Sequence, residues 1–293
     1  MRRMRYHPVV FLGGSDALSA VMPEVVMEAA GGFEPGYNAA FHRGAPRVTL
    51  LWWRDVVAPS LRPRVVVHGL SAQLLNDAGG LNTGIIEDYV SAPIFHRKRV
   101  RGALQWIADR SELLRGYKLL LQPERLARGL VRNIRFKRQG EPVRRGDALR
   151  VTPTGVATDH LDHEFARMPK MTRLIEDLIL ANYSWGNEEF DAIAELVDDV
   201  RARGAVYVAA WMPATREFLE RLPEGAHGGK AVKDAVFKVV RQHGGLAVEV
   251  DEDFTDPRWF ADLIHLNGRG ARTFSTALGT ALADILKVSL PEA

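Results

Sequence analysis

Short apolar runs alternate with amphipathic stretches at both ends of the chain. The apolar runs are bounded by Gly, Pro or charged residues and predict β-strands at residues 8–12, 64–68, 205–211 and 246–250. Apolar residues at helical spacing predict helices at 16–30, 171–181, 190–203, 230–243 and 272–286. This alternation predicts an α/β fold, a flavodoxin-like three-layer sandwich with helices on both faces of a central parallel sheet.

Several polar residues follow the predicted strands. Ser15, in the run Gly13-Gly14-Ser15-Asp16, comes directly after the first strand and before a predicted helix. The two glycines permit a sharp turn, and a strand–turn–helix order exposes a serine hydroxyl beside the helix N–H groups. Because loops after parallel strands meet at one edge of a sheet, we expect Ser15 to lie near other loop residues of that edge.

Asp262 and His265 form a second candidate feature, on a loop before the last predicted helix. Their spacing can place a carboxylate beside an imidazole, where it fixes the ring's tautomer and stabilises its protonated form. An Asp-x-x-His run alone is common on surface loops, and Gly-Gly-Ser is common at strand ends. Their joint placement at one sheet edge makes Ser15, Asp262 and His265 a candidate catalytic triad.

With these motifs the chain resembles the SGNH (GDSL-like) hydrolases and their acyltransferase relatives. In that family a serine after the first strand pairs with a C-terminal Asp-x-x-His, and the run from Asp262 to Gly270 is the most specific match. Gly14-Ser15-Asp16 stands in place of Gly-Asp-Ser and is nearer the Gly-Ser-Ser variant of the cell-envelope O-acyl-transfer branches. The resemblance implies that Ser15 is the nucleophile, His265 the general base and Asp262 its partner.

The resemblance also implies oxyanion and substrate-binding residues, although two family motifs are altered. The family's second motif corresponds to residues 36–40, which contain Asn38. Its third motif, Gly-x-Asn-Asp, corresponds to Gly69-Leu70-Ser71-Ala72, with serine in place of asparagine. Asn38, Ser71 and Gly69 are therefore the predicted oxyanion and substrate-binding residues, and Asn76 lies slightly further along the chain.

These assignments imply a serine-dependent esterase or acyl-transfer enzyme acting on an ester or thioester, including O-acylation or deacylation of a glycan or natural product. The residues do not decide between water and an alcohol as acceptor. The alternative is a catalytically silent SGNH-like carbohydrate-binding or scaffold module, which the altered third motif favours and the complete triad opposes. We predict no cofactor, because the sequence has no Walker or dinucleotide-binding glycine pattern.

A basic central segment suggests an insertion. Residues 91–150 contain 16 Lys or Arg against 5 Asp or Glu, whereas the whole chain has a net charge of +3. We predict a catalytic domain of residues 1–77 plus 171–293, with a largely helical insertion at 78–170 as a lid or partner-binding element. The charge predicts either a solvated face or an acidic partner, namely an acyl carrier protein, coenzyme A or an anionic membrane surface. Nucleic acid is disfavoured, because no nucleic-acid motif is present.

Composition narrows the remaining possibilities. The chain has no cysteine, which excludes disulfides and thiolate metal ligands. It has no apolar run long enough for a membrane span, and its first apolar run is too short for a signal peptide, so we predict a cytoplasmic or peripheral membrane location. His160 and His163, among acidic neighbours, are typical either of a polar loop or, less commonly, of a metal-ligand set.

Overall fold

The computed structural model describes residues 7–32, 36–78, 152–158, 161–165, 179–250 and 254–290. Residues 171–178 of the helix predicted at 171–181, and most of the predicted insertion, lie outside the described residues. The segment 152–158 lies against the α/β domain, because the Thr154 carbonyl accepts the Asn38 N–H at 2.8 Å and the Ala157 N–H donates to the Leu18 carbonyl at 3.0 Å. We therefore assign 152–158 to that domain.

A parallel sheet forms the centre of the domain. Its strands are β1 (Val9–Gly13), β2 (Tyr37–Asn38), β3 (Val65–Leu70), β4 (Val206–Trp211) and β5 (Leu246–Val248). Their order is β2-β1-β3-β4-β5, the flavodoxin-like arrangement, so the predicted fold class is confirmed. The sequence pattern missed β2, because a strand of two residues is too short to produce a recognisable apolar run.

Helices cover both faces of this sheet. They are α1 (Ser15–Ala20), α2 (Pro23–Ala29), α3 (Pro46–Trp52), α4 (Ala58–Leu61), α5 (Glu188–Ala202), α6 (Arg216–Leu219), α7 (Gly225–Gln242) and α8 (Gly268–Ser289). Helices α1, α2 and α8 pack together on one face, and α3, α5 and α7 pack on the other. Within the described ranges, no helix is both long enough and apolar enough to cross a bilayer.

The single helix predicted at 16–30 is wrong, because Pro23 divides it. Proline lacks an N–H and its ring clashes with the preceding turn, so α1 ends before it and α2 begins at it. Helix α8 satisfies the backbone groups left at the break: the Ser275 hydroxyl donates to the Ala20 carbonyl and accepts the Met22 N–H, both at 2.9 Å. The nucleophile's helix is thereby held against the C-terminal helix.

Apolar residues fill the space between the sheet and the layer of α3, α5 and α7. Leu12, Val66 and Leu70 from the strands meet the buried faces of α5 and α7 in one cluster. His68 and Tyr207 also lie in the sheet and are fully buried, with the imidazole Nδ1 2.8 Å from the phenol oxygen. Burial lowers the pKa of His68 to about 3.

The buried imidazole predicts a loss of stability in acid. An unfolded chain protonates His68 below about pH 6.5, whereas the folded chain keeps it neutral to about pH 3. Its contribution is therefore fully present above pH 6.5 and is lost as the pH falls towards 3. Between pH 7.5 and 4.5, we expect His68 to account for roughly 2–3 kcal/mol of the fall in the free energy of unfolding.

Urea denaturation at both pH values measures this contribution. The variant His68→Gln has no imidazole to titrate and should show the smaller fall. His227→Gln, an exposed histidine on α7, is the matched control and should behave as the wild type. An equal fall in the wild type and His68→Gln would contradict the assignment.

Candidate active site

The turn after β1 fixes the position of Ser15. Gly13 has φ +146°, and a Cβ added there would lie 2.6 Å from the Ala17 Cβ and 2.8 Å from the Gly69 carbonyl oxygen. Only glycine fits this turn, because any side chain would collide with α1 and β3. Ser15 is the first residue of α1, where a backbone N–H has no acceptor within the helix. The turn therefore presents a hydroxyl, and an N–H that has no acceptor within α1, at the carboxyl edge of the sheet.

A tight turn after β5 carries Asp262 and His265. The Asp262 Oδ1 atom accepts the N–H groups of Ile264 and His265, each at 2.9 Å. The Ala261 N–H donates to the His265 carbonyl at 2.8 Å and closes the turn. Thr215, just before α6, holds the turn from outside: its hydroxyl and its N–H both donate to the Leu263 carbonyl, at 2.9 and 3.1 Å.

Asn267 and Gly270 explain the rest of the Asp-x-x-His-Leu-Asn-x-x-Gly run. The Asn267 Oδ1 atom caps α8 by accepting the Gly270 N–H at 2.9 Å, while its Nδ2 donates to the Arg258 and Phe260 carbonyls at 2.9 and 3.2 Å. A Cβ at Gly270 would lie 2.1 Å from the Trp259 carbonyl oxygen. Asn267 and Gly270 therefore position the turn that carries Asp262 and His265, a role that the spacing of the motif alone did not reveal.

The fold brings Ser15, His265 and Asp262 together from opposite ends of the chain. The His265 Nε2 atom lies 2.8 Å from the Ser15 Oγ atom, and His265 Nδ1 lies 2.8 and 3.1 Å from the two Asp262 oxygens. Because an ionised carboxylate only accepts hydrogen bonds, the ring proton sits on Nδ1 and Nε2 accepts from the serine hydroxyl. Asp262 and His265 are buried, whereas Ser15 is partly exposed.

The surroundings of Asp262 keep it ionised. Burial alone would raise its pKa, but the hydrogen bond and charge of His265 and the N–H groups of Ile264 and His265 lower the pKa to about 2. The stabilisation from the ionised form is fully present above about pH 4 and is lost as the pH falls to about 2. The carboxylate is therefore available to a protonated His265 across the whole neutral and mildly acidic range.

Asn38, predicted as an oxyanion donor, does not face the nucleophile. Its Nδ2 donates to the Ala17 and Val21 carbonyls, both at 2.9 Å, and its Oδ1 accepts the Ala40 N–H at 3.0 Å. The side chain is 2% exposed, and both amide hydrogens are used by the backbone of α1. Asn38 therefore fastens β2 to the nucleophile's helix instead of contacting substrate.

Gly69 and Asn76 are likewise placed in structural positions. Gly69 is a buried residue of β3 whose added Cβ would lie 2.9 Å from Ala17 Cβ and from Met212 Sδ, so it allows close packing under α1. The Asn76 Nδ2 atom donates to the Ile179 and Ala181 carbonyls at 2.7 and 3.2 Å. The Asn76 amide group therefore donates to backbone carbonyls.

Ser71 is different. It follows β3 directly and lies two residues beyond Gly69, which pairs with Gly13 of β1, and Ser15 lies two residues beyond Gly13. Its hydroxyl is buried, and no described residue hydrogen-bonds to it. A buried donor without a partner costs free energy unless a ligand or water meets it. Of the predicted oxyanion side chains, Ser71 alone retains an unused donor.

The predicted histidine cluster at 159–164 is described only in part, because Asp159 and His160 lie outside the described residues. Among the residues that the structure does describe, no group of three or more His, Asp or Glu side chains is arranged to hold a metal ion. The basic segment at 91–150 and its predicted partners also lie outside the described residues and stay predictions.

Comparisons with known proteins add little to this geometry. No family model matches the chain, and no curated protein matches its sequence. The chain is similar in structure to a Bacteroides fragilis protein described as an acylhydrolase, with 10% identity, a TM-score of 0.45 and coverage of 97% of this chain and 93% of that one. It is also similar to TesA, with 11% identity, a TM-score of 0.42 and coverage of 96% and 99%. At these scores neither similarity bears on the function of this chain.

Proposed function

We propose that this protein is a serine-dependent esterase of the SGNH type, with Ser15 as nucleophile, His265 as general base and Asp262 as its partner. The observation that carries the proposal is the continuous hydrogen-bonded series from Ser15 Oγ through the His265 ring to the Asp262 carboxylate, with both links at 2.8 Å. A nucleophile, a base and a group that orients the base are the requirements for acyl transfer through a covalent intermediate.

In the first step, His265 Nε2 takes the Ser15 proton as Oγ bonds to the substrate's carbonyl carbon. The Ser15 N–H and the Ser71 hydroxyl donate hydrogen bonds to the tetrahedral oxyanion. When the oxyanion collapses, the bond from carbon to the alcohol or thiol breaks, and His265 returns the proton to that leaving group. Asp262 stabilises the imidazolium ion during this step.

In the second step, an acceptor removes the acyl group from Ser15. Water gives a proton to His265 as its oxygen bonds to the acyl carbon. The bond between that carbon and Ser15 Oγ then breaks, His265 returns the proton to Oγ, and a carboxylic acid is released. Ser15 is partly exposed, which favours water as the acceptor. An alcohol acceptor would follow the same steps and would yield a new ester.

The non-catalytic alternative fits these contacts less well. A module that only binds carbohydrate has no need of a buried carboxylate aligned with an imidazole and a serine hydroxyl. Asp262 and His265 are 3% and 6% exposed, and burying such a pair is costly unless its geometry is maintained. Retention of this geometry supports catalysis.

A competition experiment tests the proposal. The purified protein is given a short-chain thioester or p-nitrophenyl ester in water with added glycerol or a soluble glycan, and acid and ester products are quantified. The proposal expects free acid as the main product. Predominant ester formation would identify a transferase with the same triad, and no turnover of any ester would support the non-catalytic alternative.

Removing the Ser71 hydroxyl is expected to slow the chemical step. Ser71→Ala should lower kcat by about tenfold to a hundredfold with little change in KM, because a donor to the oxyanion acts mainly in the transition state. Ser71→Asn supplies the amide donor of the family's third motif and should be faster than Ser71→Ala. Steady-state kinetics on one ester measures both effects.

Ser275→Ala is the matched control for the two Ser71 variants. Ser275 is also a buried serine, but its hydroxyl bridges α8 to the break between α1 and α2. Its loss should lower thermal stability without a comparable fall in kcat. If Ser71→Ala keeps the wild-type kcat, the Ser71 hydroxyl is not an oxyanion donor.

A further inference from the structure

The residue after the nucleophile, Asp16, carries a buried carboxylate. It is 2% exposed, its Oδ1 accepts the Ala17 N–H at 2.8 Å, and its Oδ2 accepts from Gln73 Nε2 at 3.0 Å. Among the described residues, no Lys, Arg or His pairs with it. A buried charge with neutral partners only is costly and gains from a cation.

Gln73 brings a second acceptor to the same place. The turn that contains it packs on the nucleophile turn, since a Cβ added to Gly14 would lie 2.9 Å from a Leu74 methyl and 2.9 Å from Asp16 Oδ1. Gln73 is 8% exposed; its Nε2 donates to Asp16, and its Oε1 is buried with no donor in the part of the chain that the structure describes. Next to Ser15 in the chain there is therefore a carboxylate with only neutral hydrogen-bond donors, and in contact with it an amide oxygen to which no described residue donates.

We propose that Asp16 and Gln73 bind a protonated amino group close to the reacting carbonyl, so that the preferred substrates are aminoacyl esters or thioesters. An ammonium group supplies one positive charge and three donors, which match the Asp16 carboxylate and the Gln73 Oε1 atom. This inference rests on the proposed function, because the amino group is recognised while Ser15 attacks the neighbouring carbonyl.

The position of the two acceptors explains why the amino group would be near the carbonyl carbon. Asp16 follows Ser15 directly, and its Oδ1 lies 2.9 Å from a Cβ added to Gly14 on the nucleophile's turn. An amino group held there would belong to the acyl part that becomes bonded to Oγ. The chemistry is otherwise unchanged: the Ser15 proton goes through His265 to the leaving alcohol, and the ammonium group keeps its proton throughout. The shielded surroundings strengthen the attraction between the two charges.

Three ethyl esters of nearly equal shape separate charge from size. In ethyl isobutyrate a methyl group replaces the ammonium group of alanine ethyl ester, and in ethyl lactate a hydroxyl does so. At about pH 6.5 the α-amino group is protonated, since its ordinary pKa is about 7.7–8.0. After each rate is divided by the ester's hydroxide-catalysed rate, kcat/KM for alanine ethyl ester should exceed that for isobutyrate by about tenfold to a hundredfold, with lactate between them.

Two variants assign this preference to its residues. Asp16→Asn and Gln73→Met should each lower the ratio of kcat/KM for alanine ethyl ester to that for ethyl isobutyrate by about tenfold. A general loss of structure would lower both rates and leave this ratio unchanged. Glu28→Gln, an exposed carboxylate on α2, is the matched control and should keep the wild-type ratio.

The outcomes distinguish this inference from the proposed function. If the wild type hydrolyses all three esters with a ratio near one, or if Asp16→Asn keeps the wild-type ratio, the aminoacyl preference is overturned while the esterase stands. If no ester is hydrolysed and Ser15 is unreactive, the proposed function fails and this inference fails with it.

Discussion

Replacing Ser15 by alanine is expected to abolish ester hydrolysis. The variant lacks the oxygen that forms the covalent intermediate, and removing the nucleophile of a serine hydrolase lowers kcat by on the order of 10⁵- to 10⁶-fold. The residual rate would come from the remaining binding groups and from direct attack by water. The fall is measured as kcat on p-nitrophenyl acetate with protein free of wild-type contamination.

Ser184→Ala serves as the control for this measurement. Ser184 is exposed and lies outside the candidate site, so its loss should leave kcat at the wild-type value. Circular dichroism and thermal denaturation establish that Ser15→Ala is folded, as expected for a partly exposed hydroxyl whose removal leaves no cavity. A folded Ser15→Ala protein with more than about one hundredth of wild-type activity would remove Ser15 from the mechanism.

The second large effect is expected from Asp262→Asn. An asparagine amide at this position can donate to His265 Nδ1, which moves the ring proton to Nε2, where it can no longer accept from Ser15. A change of tautomer of this kind lowers kcat by about 10⁴-fold in a serine triad. The hydrogen bonds that hold the turn are kept, because the asparagine side-chain oxygen can still accept the backbone N–H groups of Ile264 and His265.

Asp256→Asn provides the comparison, because Asp256 is an exposed carboxylate on the same loop, where it caps the short helical turn Pro257–Trp259 through the Arg258 N–H. It should keep the wild-type kcat. Equal losses in the two variants would mean that the effect comes from the loop's stability and not from the imidazole. Measuring kcat and the unfolding midpoint together separates these causes.

Much of this architecture was predictable because its signals are local. Each long strand is a largely apolar run of the sequence. Gly13-Gly14 before Ser15 predicts a turn from neighbouring residues alone. The Asp262–His265 spacing is also local, and parallel topology carries both features to one edge of the sheet. Pro23 is an equally local signal, since proline ends a helix that precedes it, and it divides the single helix predicted at 16–30 into α1 and α2.

The oxyanion assignment was not predictable in the same way. Whether Asn38 or Ser71 has an unused donor depends on partners far away in the sequence, such as the α1 carbonyls that occupy the Asn38 amide. The contact between Asp16 and Gln73 joins residues 57 positions apart and leaves no local signal. β2 was missed for a related reason, since its two residues are defined by pairing with β1.

The most direct test is covalent labelling with a fluorophosphonate, which reacts with a serine only when a neighbouring base activates it. The wild-type protein is expected to gain one adduct, located by peptide mass spectrometry on Ser15, and the labelling should disappear in Ser15→Ala and slow strongly in Asp262→Asn. An unlabelled wild-type protein, or an adduct that persists in Ser15→Ala, would contradict the proposed catalytic triad.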